Sequence, residues 1–195
     1  MLVATEDELS ESVARKLLRE VGFGGPATFV GRKGNGFLKA NLKKYRDTAR
    51  RIPVVVFTDL DAKRCAPSLV DEWLGADRAF GKFCLRVAVR ETEAWVMADR
   101  KGFAEFMGIS EAKIARDTEA IPDPKRRLLE LAHGARRSLR LGLLPAVGAA
   151  AIQGLDYNRL LGEFVTDVWS VAEAERSNRS LNRAMDNLRK ISIAN

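Results

Sequence analysis

Hydrophobic positions along the chain change period several times, and each period predicts an element. Leu2-Val3-Ala4 is a short apolar run ending in acids, and it predicts a first strand. Leu9, Val13, Leu17 and Val21 then recur on one face, with Ala14 and Leu18 beside them, as in an amphipathic helix. Thr5 with Glu8 fits a capping-box pattern, Ser10 is the other candidate cap, and Gly22, Gly24 and Gly25 stop the helix. Residues 26–30 read as a weak second strand, and the glycine-rich basic stretch 31–36 as a loop. It is not a P-loop, because G-x-x-x-x-G-K-[ST] is absent. A second helix is expected over 37–51, with Phe37, Leu38, Leu42 and Tyr45 on one side.

The run Pro53-Val54-Val55-Val56-Phe57 is short, β-branched and bounded by proline and polar residues, so it predicts a fully buried strand. It leads into Thr58-Asp59-Leu60-Asp61, where two aspartates follow the strand as D-x-D. Pro67 suits the first turn of a helix that packs Leu69, Val70, Trp73 and Leu74. Residues 83–89 alternate apolar Phe83, Leu85, Val87 and Val89 with Cys84, Arg86 and Ala88, the pattern of a less buried strand. That strand runs into Glu91 and Glu93, and a helix with Ala94, Trp95 and Ala98 takes over.

Strand and helix signals thus alternate over residues 2–100, and helix signals dominate afterwards. The expected fold is α/β: a three-layer α/β/α arrangement on a mainly parallel four-stranded sheet, with a helical C-terminal half. Residues 1–100 form the α/β core and 101–195 a helical extension packed on it. In that extension Asp123 caps a helix whose first residue is Pro124, residues 142–154 read as a loop, and helices are expected over 155–169 and 180–191.

Composition narrows the class. Charged residues make up 30% of the chain and hydrophobic ones 46%, which excludes disorder, and no apolar run reaches membrane-spanning length. The start lacks the pattern of a signal peptide, and Cys65 and Cys84 belong to no C-x-x-C pair. Two reduced core thiols and a cytoplasmic location are expected. The single histidine, His133, leaves no zinc set and reads as a surface or packing residue. Net charge is +7, and its distribution is uneven: residues 32–51 hold eight Lys/Arg and one acid, and 125–140 hold six and one. Such stretches are most often solvated helix faces, but acidic knots among them also suit a metal site working on a phosphate backbone.

Those knots lie at predicted strand ends: Glu6 after the first strand, Asp59 and Asp61 after the third, Glu91 and Glu93 after the fourth. In parallel α/β sheets, sites form beyond the carboxyl ends of the strands. Carboxylates there favour hard cations, so Mg2+ or Mn2+ is the expected cofactor. Asp59 and Asp61 are expected to point the same way along an extended chain. Either Glu91 or Glu93 completes the site. Lys125 is a candidate stabiliser of transition-state charge, and Arg32, Lys33, Lys39, Lys43, Lys63, Arg64 and Arg126 are candidate contacts to nucleic acid. Trp73, Trp95 and Trp169 fall on apolar helix faces, which favours core packing over base stacking.

Glu6 with Asp7-Glu8-Leu9-Ser10-Glu11, the stretch Val55 to Asp61, and Val89-Arg90-Glu91-Thr92-Glu93-Ala94-Trp95 together resemble the Toprim domain of topoisomerases, bacterial primases and OLD-type nucleases. In particular they resemble the bacterial DUF4276 family, Toprim-related and often encoded beside an ABC/SMC-like ATPase. The resemblance implies that Glu6 is a metal ligand or general acid/base, that Asp59 and Asp61 bind metal, and that Glu91 and Glu93 stand where relatives need further acids. Many Toprim domains have glycine after the glutamate. Asp7 stands there in this chain, so Asp7 or Glu11 is a further candidate ligand. Tyr45 and Tyr157 are the only tyrosines, and neither suits a topoisomerase mechanism. The implied function is a Mg/Mn-dependent nuclease acting on DNA or RNA, the effector of a phage-defence pair with that ATPase. The alternatives are a non-catalytic assembly subunit of the same system and, last, a phosphatase with an aspartate nucleophile.

Overall fold

The fold was analysed as a computed structural model, which describes residues 1–75 and 82–193. Four strands, β1 (Leu2–Thr5), β2 (Thr28–Gly31), β3 (Val54–Asp59) and β4 (Phe83–Ala88), form one parallel sheet in the order β2-β1-β3-β4. Leu2 pairs with Thr28 and Val54, and Val54 with Phe83, so the strands are nearly in step. β3 is the buried inner strand that its sequence predicts. Val55 and Phe57 face one core, while Val54 and Val56 face the other.

Each face is covered. On one side lie α1 (Glu8–Glu20), α5 (Thr92–Ala98) and the C-terminal helices; on the other lie α2 (Gly34–Ala40), α3 (Leu42–Thr48) and α4 (Ala66–Leu74). The fold is therefore a mixed α/β one with a helical C-terminal half. That half comprises α6 (Arg100–Met107), α7 (Pro124–Ala132), α8 (Arg137–Leu143), α9 (Tyr157–Asp167), α10 (Val171–Ser177) and α11 (Arg179–Ile193). The larger core joins Val3, Leu17 and Phe57 of the sheet half with Phe103, Phe164 and Leu188 of the helical half. Phe103 and Phe164 meet edge to face at 5.7 Å between ring centres.

Several local expectations are corrected. The cap of α1 is Asp7: its carboxylate accepts from the Ser10 N–H at 2.8 Å, and Ser10 Oγ accepts from the Asp7 N–H. Thr5 is instead fully buried in β1, and its hydroxyl has no hydrogen-bond partner. The helix expected over 37–51 begins earlier, at Gly34, and breaks at Asn41 into α2 and α3. Residues 142–154 are not all loop, since α8 runs to Leu143, and α10 interrupts the way to α11. Trp95 and Trp169 are buried, whereas Trp73 is half-buried beside a groove. Cys84 is buried, but Cys65 is half-exposed as the cap residue of α4, 3.1 Å from Ser68 Oγ.

Candidate active site

The predicted acids gather at the carboxyl edge of the sheet. Glu6 follows β1 directly. Its Oε2 accepts from Thr58 Oγ1 at 2.9 Å and from the Asp59 N–H at 3.2 Å, so it bridges the ends of β1 and β3. Burial raises its pKa, against the lowering effect of those two bonds, and the charges of Asp61 and Asp7 push it further up. Asp59 ends β3. Its Oδ1 accepts from both the N–H (3.0 Å) and the hydroxyl (2.8 Å) of Thr92, at the start of α5. Burial holds its pKa well above the usual carboxylate range, and the negative charges of Glu93 and Glu6 add to that.

Asp61 departs from expectation. The strand has ended, and Asp61 sits in left-handed backbone with φ 51°. It therefore does not extend alongside Asp59; its Oδ2 accepts instead from Asn35 Nδ2 at 2.9 Å. The turn is bound to the end of β4, because the N–H groups of Leu60 and Asp61 both donate to the Arg90 carbonyl at 2.9 Å. The Arg90 guanidinium returns the contact to the carbonyls of Asp61 and Lys63. The Val89–Arg90 peptide is cis.

Glu91 and Glu93 diverge to different partners. Glu91 is the extended cap residue of α5, and its Oε2 accepts from the Lys125 N–H at 2.7 Å. Burial raises its pKa, helped by the charges of Asp123 and Asp61. Glu93 is 4% exposed, and its Oε1 accepts from the Tyr157 hydroxyl at 2.8 Å. Burial pushes its pKa up to about 7, although the Tyr157 bond and Lys125 act in the opposite direction. Tyr157 is likewise raised well above its ordinary value by burial and by Glu93. Lys125 Nζ lies 5.2 Å from the centre of the Tyr157 ring, so a cation stands among the acids. Sequence reasoning missed Tyr157, Thr92, Thr58 and Asn35 as partners. Each lies far along the chain from the acid that it binds, and a lone hydroxyl or amide carries no periodic signal.

The extra ligand candidates are otherwise engaged. Asp7 caps α1, and Glu11 is clasped by Arg32 (Nε–Oε2 2.6 Å) and Arg15 (2.8 Å), with the Arg32 bond foremost in lowering its pKa. Arg32 is thus committed to Glu11, although its side chain remains half-exposed. Lys39 and Lys63 share Glu72, each at 2.7 Å, and their bonds lower that carboxylate to about 2. Lys33 Nζ lies over the Phe37 ring, and Arg126 approaches Glu130 at 3.4 Å. Arg64 is exposed in the turn after Asp61. Lys43 lines an open groove of about 470 Å³ together with Lys39, Arg46, Arg50, Asp47 and Trp73. Several of these basic residues are therefore engaged by acids outside the cluster, Arg32 by Glu11 and Lys39 and Lys63 by Glu72.

The donor set suits a hard divalent cation: it is all oxygen, and burial together with mutual repulsion raises four of its carboxyls. Among the described residues, however, no three His, Cys, Asp or Glu side chains converge closely enough to hold an ion as they stand. Each of these carboxylates already turns one oxygen to a protein donor. What fold and site define is a parallel α/β protein with a poorly neutralised acidic cluster at the carboxyl edge of its sheet. No family model, curated protein or solved structure matches the chain. No helix among the described residues is long and apolar enough to cross a membrane.

Proposed function

We propose that this chain is a Mg2+- or Mn2+-dependent phosphodiesterase of Toprim type, a nuclease acting on DNA or RNA in the cytoplasm. The observation that carries the reading is the placement of Glu6, Asp59, Asp61, Glu91 and Glu93 along one sheet edge, where four of the five are held above their ordinary pKa. Such an edge is where α/β folds bind ligands. Unneutralised carboxylates there are stabilised by whatever brings positive charge.

Glu6, Asp59 and Asp61 would hold the cation, with Glu91 as the fourth carboxylate. Bound, it supplies stabilisation of the charge that builds on phosphoryl oxygens. The chain's own residues position the parts. Thr92 fixes the Asp59 carboxylate, and Thr58 fixes that of Glu6. Arg90 pins the turn that carries Asp61 to the end of β4. Lys125 adds fixed positive charge, of the kind that steadies an anionic transition state. An ABC/SMC-like ATPase is the proposed partner, and phage defence the proposed setting.

The test is nicking of supercoiled plasmid and cleavage of transfer RNA by the purified chain with Mn2+, beside calorimetric titration of Mn2+. Cleavage that disappears in Asp59→Asn, together with loss of Mn2+ heat, supports the reading. Absence of both cleavage and Mn2+ heat in the wild-type chain removes it. A second reading, a non-catalytic assembly subunit, draws on the fact that the carboxylates already have protein donors. It predicts a chain that binds its partner equally well with alanine at Glu6, Asp59 and Asp61.

A further inference from the structure

β4 is an edge strand of the sheet, and part of its outer ladder has no partner among the described residues. The bonds from the Val54 N–H to Lys82 and from the Leu60 N–H to Ala88 set the phase of the ladder. Even-numbered residues of β4 turn their backbone groups to β3, so Phe83, Leu85 and Val87 turn theirs outward. Among the described residues nothing pairs with the outward groups of Leu85 and Val87; the next outward donor, the Val89 N–H, reaches Ser180 Oγ at 3.3 Å. A strand edge whose backbone groups lack partners is a template for another chain, even where its side chains, like Leu85 and Val87, are buried.

A cavity of about 340 Å³ runs along this edge between α4 and the start of α11. Its two sides differ. On the α4 side Pro67 and Val70 meet Leu85 and Val87, and the wall is apolar. On the α11 side stand Arg179 and Arg183, with Arg86 from β4 itself. These three arginines form no ion pair with any described residue. Arg86 Nε is moreover buried without a hydrogen-bond partner, a state that calls for a missing acceptor. The one acid of the cavity, Glu119, is already bound by the Ser180 N–H at 2.6 Å.

We propose that this slot docks an extended segment of a partner polypeptide in which acidic and apolar side chains alternate. A strand added to β4 presents successive side chains to opposite faces. One set then meets Pro67, Val70 and Val87, and the other meets Arg86, Arg179 and Arg183. Carboxylates on the second set supply an acceptor for Arg86 Nε and charged partners for the exposed Arg179 and Arg183. A second copy of this chain is disfavoured, because edge-to-edge pairing brings these arginines against their own copies. A nucleic acid strand is disfavoured too: no aromatic side chain lines the slot to stack a base, and the floor is apolar.

The experiment uses the full chain and a capped octapeptide alternating glutamate and valine, read by fluorescence anisotropy and by amide exchange at Leu85 and Val87. Binding with new protection at those two amides is expected. Arg179→Ala with Arg183→Ala, both on the exposed face of α11, should weaken it about tenfold or more. N-methylation of alternate peptide amides should abolish binding in one phase and spare it in the other. Three results each overturn the proposal: no binding, equal binding by a peptide with its glutamates in one block, or indifference to N-methyl phase. Displacement by an oligothymidylate, with the blocked peptide binding equally, would instead assign the arginines to nucleic acid.

Discussion

Glu93 is the residue at which burial and charge conflict most openly. It is enclosed on α5, one oxygen takes the Tyr157 hydroxyl, and its pKa lies near 7. In the unfolded chain its pKa returns to the ordinary value of 4.5. Between those values the folded state keeps a proton that the unfolded state has lost. Stability contributed by the protonated form is therefore full below pH 4.5 and falls as pH rises through 7. The swing is about 3 kcal/mol at most for a shift of this size. Glu6, Asp59 and Glu91 are raised as well and act with the same sign. Glu11 and Glu72 are lowered and act oppositely, at more acidic pH. Glu93→Gln keeps the shape and an acceptor for Tyr157 but cannot ionise. Its urea midpoint should exceed that of the wild type at pH 8 and converge with it near pH 5. A wild-type midpoint flat from pH 5 to 8 would show that Glu93 is not held in this way.

At the scale of elements, the helical half depends on junctions that no periodicity announces. Asp99 lies between α5 and α6, 3% exposed. Its Oδ1 accepts from the Gly102 N–H at 3.0 Å and its Oδ2 from the Ser170 N–H at 2.8 Å, which ties the start of α6 to the residue capping α10. Asp99→Ala leaves two donors without an acceptor, at an expected cost of about 2–4 kcal/mol. The urea midpoint should drop while the slope of the transition stays unchanged. A loss below about 1 kcal/mol would mean that water replaces the carboxylate. The same contrast explains what was legible in the sequence. β3 could be read because Val54 to Phe57 carry a local signal of burial on both faces. The acids could be placed at strand ends for the same reason. The turned-away Asp61 and the Tyr157–Glu93 bond depend on contacts between distant residues. Asp7 was a candidate ligand by position, but its local bond to Ser10 makes it a cap. Arg86 looked like the polar half of an alternating strand, and only the sheet order makes it an edge residue beside two arginines of α11.

For the molecule as a whole, the acidic edge is a local cost that a bound cation would remove. A ligand binding only the folded state at a hundred times its Kd stabilises by about 2.7 kcal/mol. In a chain of 195 residues, that raises Tm by roughly 5–10 °C. The rise should depend on pH with a definite sign. Toward low pH the raised carboxyls Glu6, Asp59, Glu91 and Glu93 take up protons in competition with the cation, and the shift shrinks. As pH rises the protons leave, the cation-free protein loses stability through these groups, and the shift grows. Asp59→Asn separates this account from nonspecific binding. Asparagine retains an oxygen for Thr92 while removing one of the repelling charges. At a pH high enough to ionise Asp59, the variant should therefore melt above the wild type without cation and gain little from Mn2+. A variant that melts with the wild type and gains as much from Mn2+ would place the ion elsewhere, and the acidic edge would then be a burden that the large shared core simply carries.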